Sequence, residues 1–400
     1  MMRKPRVTES TDTTTGRPQL VERYIARLGC VCLVSPEDLG DAAILAGEAR
    51  LAEYPRFQEE ILARLKAHPN LTEVEDHFWG DTAEVVMVRW PGAEGTAPSF
   101  QGHCSCRVHL PRKNQALPDS YDGYVIEDFR LLYNGAVFAA YAPLPQDLGV
   151  FFMRWPTSCD WQFGKESERV VTGALAGAEG WVVSPIGPTP IHPCYFIDFV
   201  RRSTVDERAS AREESGDIHL TIPVSETETP EQIVGLLLGA SLRPVSDFYG
   251  AMLLRYHIDD TLADLSEIVR AMADKHSELL DLHWWNPQDL VKRYRLLGEV
   301  RRDVARAYGR YMLHSELSMG LGQTRDFVSE ILSQQITTMP LARYASQELS
   351  DRSCIDPAAL MQSLRFFEEE ARSGVVQRAT IDAAVAAAIL GAAVGAILAK

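Results

Sequence analysis

At 400 residues the chain is long enough for two or three domains, and 46 % hydrophobic with 24 % charged residues is the composition of a protein that folds into cores. A formal net charge of −15 excludes general nucleic-acid binding, which needs a basic surface. Seven cysteines, an odd count thinly spread, exclude a disulfide scaffold and fit a reducing compartment.

Residues 1–17 are polar and Thr-rich, carry Arg3, Lys4 and Arg6, and contain no apolar core of a secretory signal. They read as a disordered start, and the body is expected to remain in the cytoplasm. An α+β domain is expected over 18–228. It begins with a helix over Pro18–Leu28 and a strand over Cys30–Val34. A helix to about Leu51 is signalled by Ser35-Pro36-Glu37-Asp38, where a capping hydroxyl, a first-turn proline and two acids coincide. Another helix is expected over 55–67.

The pattern then turns to strands. Val85–Trp90 and Arg107–Leu110 are short β-rich runs, and Tyr124–Tyr133 and Ala136–Tyr141 flank Asn134-Gly135, a dipeptide suited to a two-residue hairpin turn. A helix over Glu166–Ala176 precedes strands at Trp181–Ser184 and Cys194–Val200, separated by a loop with four prolines between Ser184 and Pro193. Residues 201–217 read as a mobile loop. Ile218, Leu220, Ile222 and Val224 alternate as a strand, placed at a sheet edge because Pro223 cannot donate to a ladder.

From Thr229-Pro230-Glu231-Gln232, a capping-box start, a helical domain runs over 229–373. An apolar helix is interrupted near Pro244. A helix from Asp260 to about Leu282 pairs in a hairpin with a long one over 287–318, whose Leu290, Leu297, Val304 and Tyr311 repeat at sevens. Shorter helices follow at about 324–336, 341–350 and 357–372. Phe248-Tyr-Gly-Ala-Met-Leu-Leu-Arg-Tyr256 and the helices beyond it resemble, in layout, accessory proteins of bacterial conflict systems associated with caspase-like and tetratricopeptide-repeat components. The resemblance implies a role in an assembly and carries over no functional residue. The layout is also similar to CorA-type magnesium channels, but the Gly-Met-Asn motif is absent and one candidate span stands where two are needed, so channel function is not carried over.

Residues 374–400 form the last segment. Between Ala383 and Ala399 no side chain is charged or strongly polar. As a helix, Ile381–Ala399 reaches about 28 Å, close to the hydrocarbon thickness of a bilayer. Alanine fills nine of its nineteen positions, so the run is less apolar than a Leu/Ile span and also reads as a helix buried on protein. Ala383, Ala387, Gly391, Gly395 and Ala399 fall four apart, a stripe on which helices approach closely in lipid. A single-pass anchor in the plasma membrane, with a homo-oligomer interface, is the expectation, and Arg372 and Arg378 place its N-terminal side in the cytoplasm.

The chemical candidates are few. His103, Cys104, Cys106 and His109 invite a metal, but strand alternation puts the two residue types on opposite faces. His192 beside Cys194 invites a thiol nucleophile. The bland reading is a turn entering a strand, and Gly187, His192 and Cys194 are retained as a ligand- or partner-contact loop. His276/Glu278 and His314/Glu316 are two apart on helices and so do not share a face. Residues 287–310 carry a net +4, and Arg295, Arg302 and Arg306 are the candidate face for an anionic partner, against the alternative of a solvated helix side. Phosphate-binding, dinucleotide, H-E-x-x-H and G-x-S-x-G motifs are absent, and no cofactor or metal is implied. The leading expectation is a non-enzymatic, tail-anchored sensor, scaffold or effector that self-associates. The alternatives are a soluble enzyme using the strand-rich domain and a soluble binding module of a multiprotein assembly.

Overall fold

A computed structural model describes residues 19–34, 54–90, 93–117, 121, 123–145, 148, 159–177, 182–186, 194–202, 208–214, 216–283, 286–350, 356–369 and 372–373. The chain is α+β, with an N-terminal sheet and a C-terminal helical region. In order the elements are β1 (Leu20–Val34), α1 (Tyr54–Ala67), β2 (Leu71–Trp90), β3 (Ala93–His109), β4 (Asp128–Tyr133), β5 (Val137–Leu144), α2 (Cys159–Leu175), β6 (Val182–Ile186), β7 (Cys194–Arg201), β8 (Ser210–Glu214), β9 (Asp217–Val224), α3 (Pro230–Asp281), α4 (Pro287–Ser333), α5 (Met339–Glu348) and α6 (357–369). Two compact units divide them. The first comprises Met1–Gly250 with Phe327–Glu348, the second Ala251–Asp326 with Leu349–Lys400.

The first unit is built on one nine-stranded sheet in the order β2-β3-β4-β5-β1-β7-β9-β8, with β6 also paired to β1. Its centre is β1, where the sequence reading expected a helix. β1 is antiparallel to β5 on one edge and to β7 and β6 in succession on the other. Every residue from Tyr24 to Cys32 is buried, so the strand is covered on both faces. Such a strand shows a continuous apolar run and no alternation, and Leu20, Tyr24, Ile25 and Leu28 then imitate helical spacing. Arg23 clamps the β1–β7 pair by two bonds to Asp198, at 2.5 and 2.8 Å.

One face carries the main core. Phe57, Ile61 and Leu65 of α1 and Phe163, Val170, Val171, Ala174 and Leu175 of α2 pack with Cys104, Cys106 and Val108 of β3, Leu131 and Tyr133 of β4 and Phe138, Ala140 and Ala142 of β5. Arg64 of α1 donates to the carbonyls of Ala176 and Gly177 at 3.0 and 2.8 Å, placing a cation at the negative end of α2, and Gly177 takes the left-handed conformation (φ +77°) that ends the helix. The expected hairpin is present between β4 and β5. Asn134 Oδ1 accepts from the Ala136 and Val137 amides, and Gly135 has φ +98°. Gly29 lets the Phe138 ring lie on the β1 backbone, where a Cβ would sit 2.3 Å from that ring. On the other face the first turns of α3 pack down, with Gly235 beside the Tyr141 hydroxyl and Gly239 over His103.

Four further expectations change. The span 201–217 contains a strand, β8, which pairs with β9. β9 is therefore internal, between β7 and β8. Pro223 fits there because β8 pairs only with Asp217–Thr221 and leaves the proline's missing N–H unopposed. Third, α3 runs unbroken through Pro244. A helical proline cannot donate to the carbonyl four residues back, here Ala240, and Gln335 Nε2 donates to that oxygen instead, at 3.1 Å. Likewise α4 continues past residue 318 to Ser333 as one helix. The helix expected over 35–51 lies outside the described residues.

In the second unit α3 and α4 form the expected antiparallel hairpin, and α6 packs on it. Leu262, Leu265 and Met272 meet Val300, Val304 and Ala307, with Leu364 and Phe367 of α6 completing the cluster. The seam runs through Val300 and Ala307, not through Leu290, which is exposed. Tyr308 donates to Glu368 Oε2 at 2.8 Å, and His276 meets Phe366 and Phe367 edge-on.

Candidate functional site

α4 has two unlike sides within the second unit. Leu296, Val300, Val304 and Ala307 are buried, three to four apart, as the inner side of a packed helix should be, and buried His314 and Leu317 continue that side. The opposite side is open among the described residues. Val291, Met312 and Met319 are 72 %, 57 % and 67 % exposed. Between them lie Gly298, Ala305 and Gly309, all exposed, and a Cβ built on either glycine meets no atom within 4 Å. Val291, Gly298, Ala305, Met312 and Met319 follow one another at seven-residue steps, so they fall along a single gently drifting line.

The charges of α4 divide the same way. Those beside the hairpin are paired: Lys275 of α3 binds Asp303 at 2.6 Å and Glu299 at 3.5 Å, Lys292 binds Glu278, and Arg310 lies 3.9 Å from Asp264. The hydrogen bond to Asp303 holds the Lys275 ammonium above its ordinary pKa. On the outward side Arg295 meets its own helix's Glu299, at 3.0 Å, and no other carboxylate among the described residues. Arg301, Arg302, Arg306 and Glu316 are exposed and make no ion pair among the described residues. Of the expected anionic-partner face, Arg302 and Arg306 are thus available and Arg295 is half-satisfied.

The sheet unit offers chemistry that does not assemble. His77 Nε2 lies 3.2 Å from Ser105 Oγ and 3.3 Å from Glu75. Both contacts use one ring nitrogen, whereas a charge-relay triad needs the acid on the other. Glu73, at a bulge of β2, holds a left-handed conformation (φ +51°) unusual for a non-glycine, and its carboxylate takes Arg130 at 2.7 Å and Arg107 at 3.7 Å. Arg130 also bonds Glu231 at 3.0 Å. These arginines already hold carboxylates, so they present no empty anion site. Cys104 and Cys106 are buried in the core and His109 is exposed beside Asp128, as strand alternation requires. Burial pushes the Cys104 thiol well up and the Cys106 thiol to about 12, so neither is a thiolate near neutrality.

Cys194 is fully buried, its Sγ 3.8 Å from the Ala26 carbonyl oxygen. Gly187 and His192 lie outside the described residues, as do Ala383, Ala387, Gly391, Gly395 and Ala399. No helix among the described residues is long and apolar enough to cross a membrane. The outward residues Gly298, Ala305, Gly309, Met312 and Met319 were not singled out from the sequence, and Glu316 was considered only as the neighbour of His314. Their seven-residue spacing was the available signal, masked by the stronger Leu290–Tyr311 repeat on the neighbouring side. Comparison of the chain with protein-family models, with curated proteins and with solved structures returns no match.

Proposed function

We propose that the protein is a non-enzymatic, membrane-tethered scaffold that acts through self-association, with residues 381–399 in the plasma membrane and the folded body on the cytoplasmic side. The run Ala383–Ala399, free of ionisable and strongly polar side chains, carries this reading. Its stripe of Ala383, Ala387, Gly391, Gly395 and Ala399 supports association of tails within lipid. The uncovered side of α4, outside the membrane, supports association of bodies. The layout resemblance to conflict-system accessory proteins agrees with a part in an assembly.

Fractionation tests the tether. The full chain is expected to remain in the membrane pellet after an alkaline carbonate wash, and a chain ending at Arg378 to be released. Equal solubility of the two would remove the tether from the reading.

A further inference from the structure

The outward side of α4 is complementary to itself. About a point between Tyr308 and Gly309, the small residues of its first half stand at the same distances as the large residues of its second half. Ala305 corresponds to Met312 and Gly298 to Met319, and Gly309, half a residue from the point, comes to lie beside its own copy. The charges follow the same relation, since Arg301 corresponds to Glu316 and Arg302 falls one residue from that position. A helix laid antiparallel on its own copy, with the two-fold axis at that point, puts Met312 over Ala305, Met319 over Gly298, and Arg301 and Arg302 beside Glu316.

We infer that this side is a homodimer seam, and that the anionic partner of Arg302 is Glu316 of a second copy. A two-fold interface requires this self-matching, because each residue and its counterpart exchange places. The small residues let the helix axes approach, and each methionine fills the space opposite. A parallel pairing meets none of these conditions: Met312 would face Met312, Gly298 would face Gly298, and Arg302 would face Arg302. From Arg295 to Gln323 the seam is about 42 Å long. The inference deepens the self-association half of the proposed function and stands without the tail.

Single-cysteine cross-linking in the full chain, in mild detergent, tests it against the unsubstituted chain as background. Gly309→Cys is expected to form an inter-chain disulfide under mild oxidation. Gly298→Cys and Met319→Cys are each expected to fail alone and to cross-link when the two variants are co-expressed. All three are exposed positions, so the fold tolerates the changes. In the Gly309→Cys background, Arg302→Glu or Glu316→Arg alone is expected to lower the cross-link yield about tenfold, and the two together to restore it.

Equal cross-linking at all three positions alone would signify a parallel pair and overturn the inference. Absence of cross-linking at Gly309→Cys would overturn it too, and anionic vesicles bound through Arg301, Arg302 and Arg306 would then make the face a lipid contact. Repeating the Gly309→Cys assay with Gly391→Leu and Gly395→Leu separates the two readings. A persisting cross-link on a chain that no longer pellets leaves the seam and removes the tether.

Discussion

The two units bury their side chains on different terms. In the sheet unit β1 is covered on both faces and hydrogen-bonded on both edges, and its neighbours send residues into one continuous core. In the helical unit α4 is covered along one stripe only, and the opposite stripe, with Val291, Met312 and Met319, is bare among the described residues. A helix turns its side chains through a full circle, so one hairpin partner and one short third helix occupy only part of it. A central strand has two faces and two edges, and here all four are filled. Side chains in the sheet unit therefore act on stability, and those along the outer line of α4 are left free of the core and available to the proposed seam.

The sharpest way to break that contrast is to empty the interior of each unit. Phe138→Ala in β5 should cost about 3–5 kcal/mol, and Leu265→Ala in the hairpin about 2–5 kcal/mol, in denaturant titrations of the full chain. Losses of only a few tenths would show that these residues are not sealed as described. Gly29→Ala tests the closeness of sheet packing from the other direction. The added methyl collides with the Phe138 ring, and a loss of about 1–3 kcal/mol is expected. On the bare line the sign reverses. Gly309→Ala should leave the fold unharmed or raise its stability by up to about 1 kcal/mol, since alanine favours the helix and its methyl meets no atom. The same change should weaken the proposed dimer by holding the helices apart, as read by sedimentation. A loss of fold stability at Gly309 would mean that the line is covered.

Titration sharpens the contrast further. Burial, and secondarily the neighbouring His77, holds the His103 imidazole below its ordinary pKa of 6.5. Burial, with Arg212 next, does the same for His219. Both protonate more readily in the unfolded chain, so their contribution is present above about pH 6.5 and is lost as the pH falls through the folded-state values. Denaturation midpoints should therefore decline on acidification across this window, and His103→Gln should flatten part of the decline.

Local signals in the chain were read correctly where local chemistry decided the outcome. Asn134-Gly135 makes its turn from its own backbone and side chain, and the alternation through His103–His109 separates cysteine from histidine without help from elsewhere. The helix at Pro18–Leu28 failed because a strand enclosed on all sides loses the alternation that identifies strands. The break at Pro244 failed because its remedy, Gln335, comes from a distant segment. The edge assignment of β9 failed because β8 covers only part of it. The outer line of α4 stayed hidden because its meaning lies in a relation between the two halves of one helix, and a search for runs and motifs does not compare a segment with its own reversal.

The thiols Cys30, Cys32, Cys104, Cys106 and Cys194 form no disulfide and lie within the sheet unit's interior. A bulky alkylating reagent reaches them only when strands part, so the speed of their labelling becomes a clock for opening. Ligands, lipids or partners that tighten the sheet unit would slow that clock, and the chain thus carries its own reporter without any added dye.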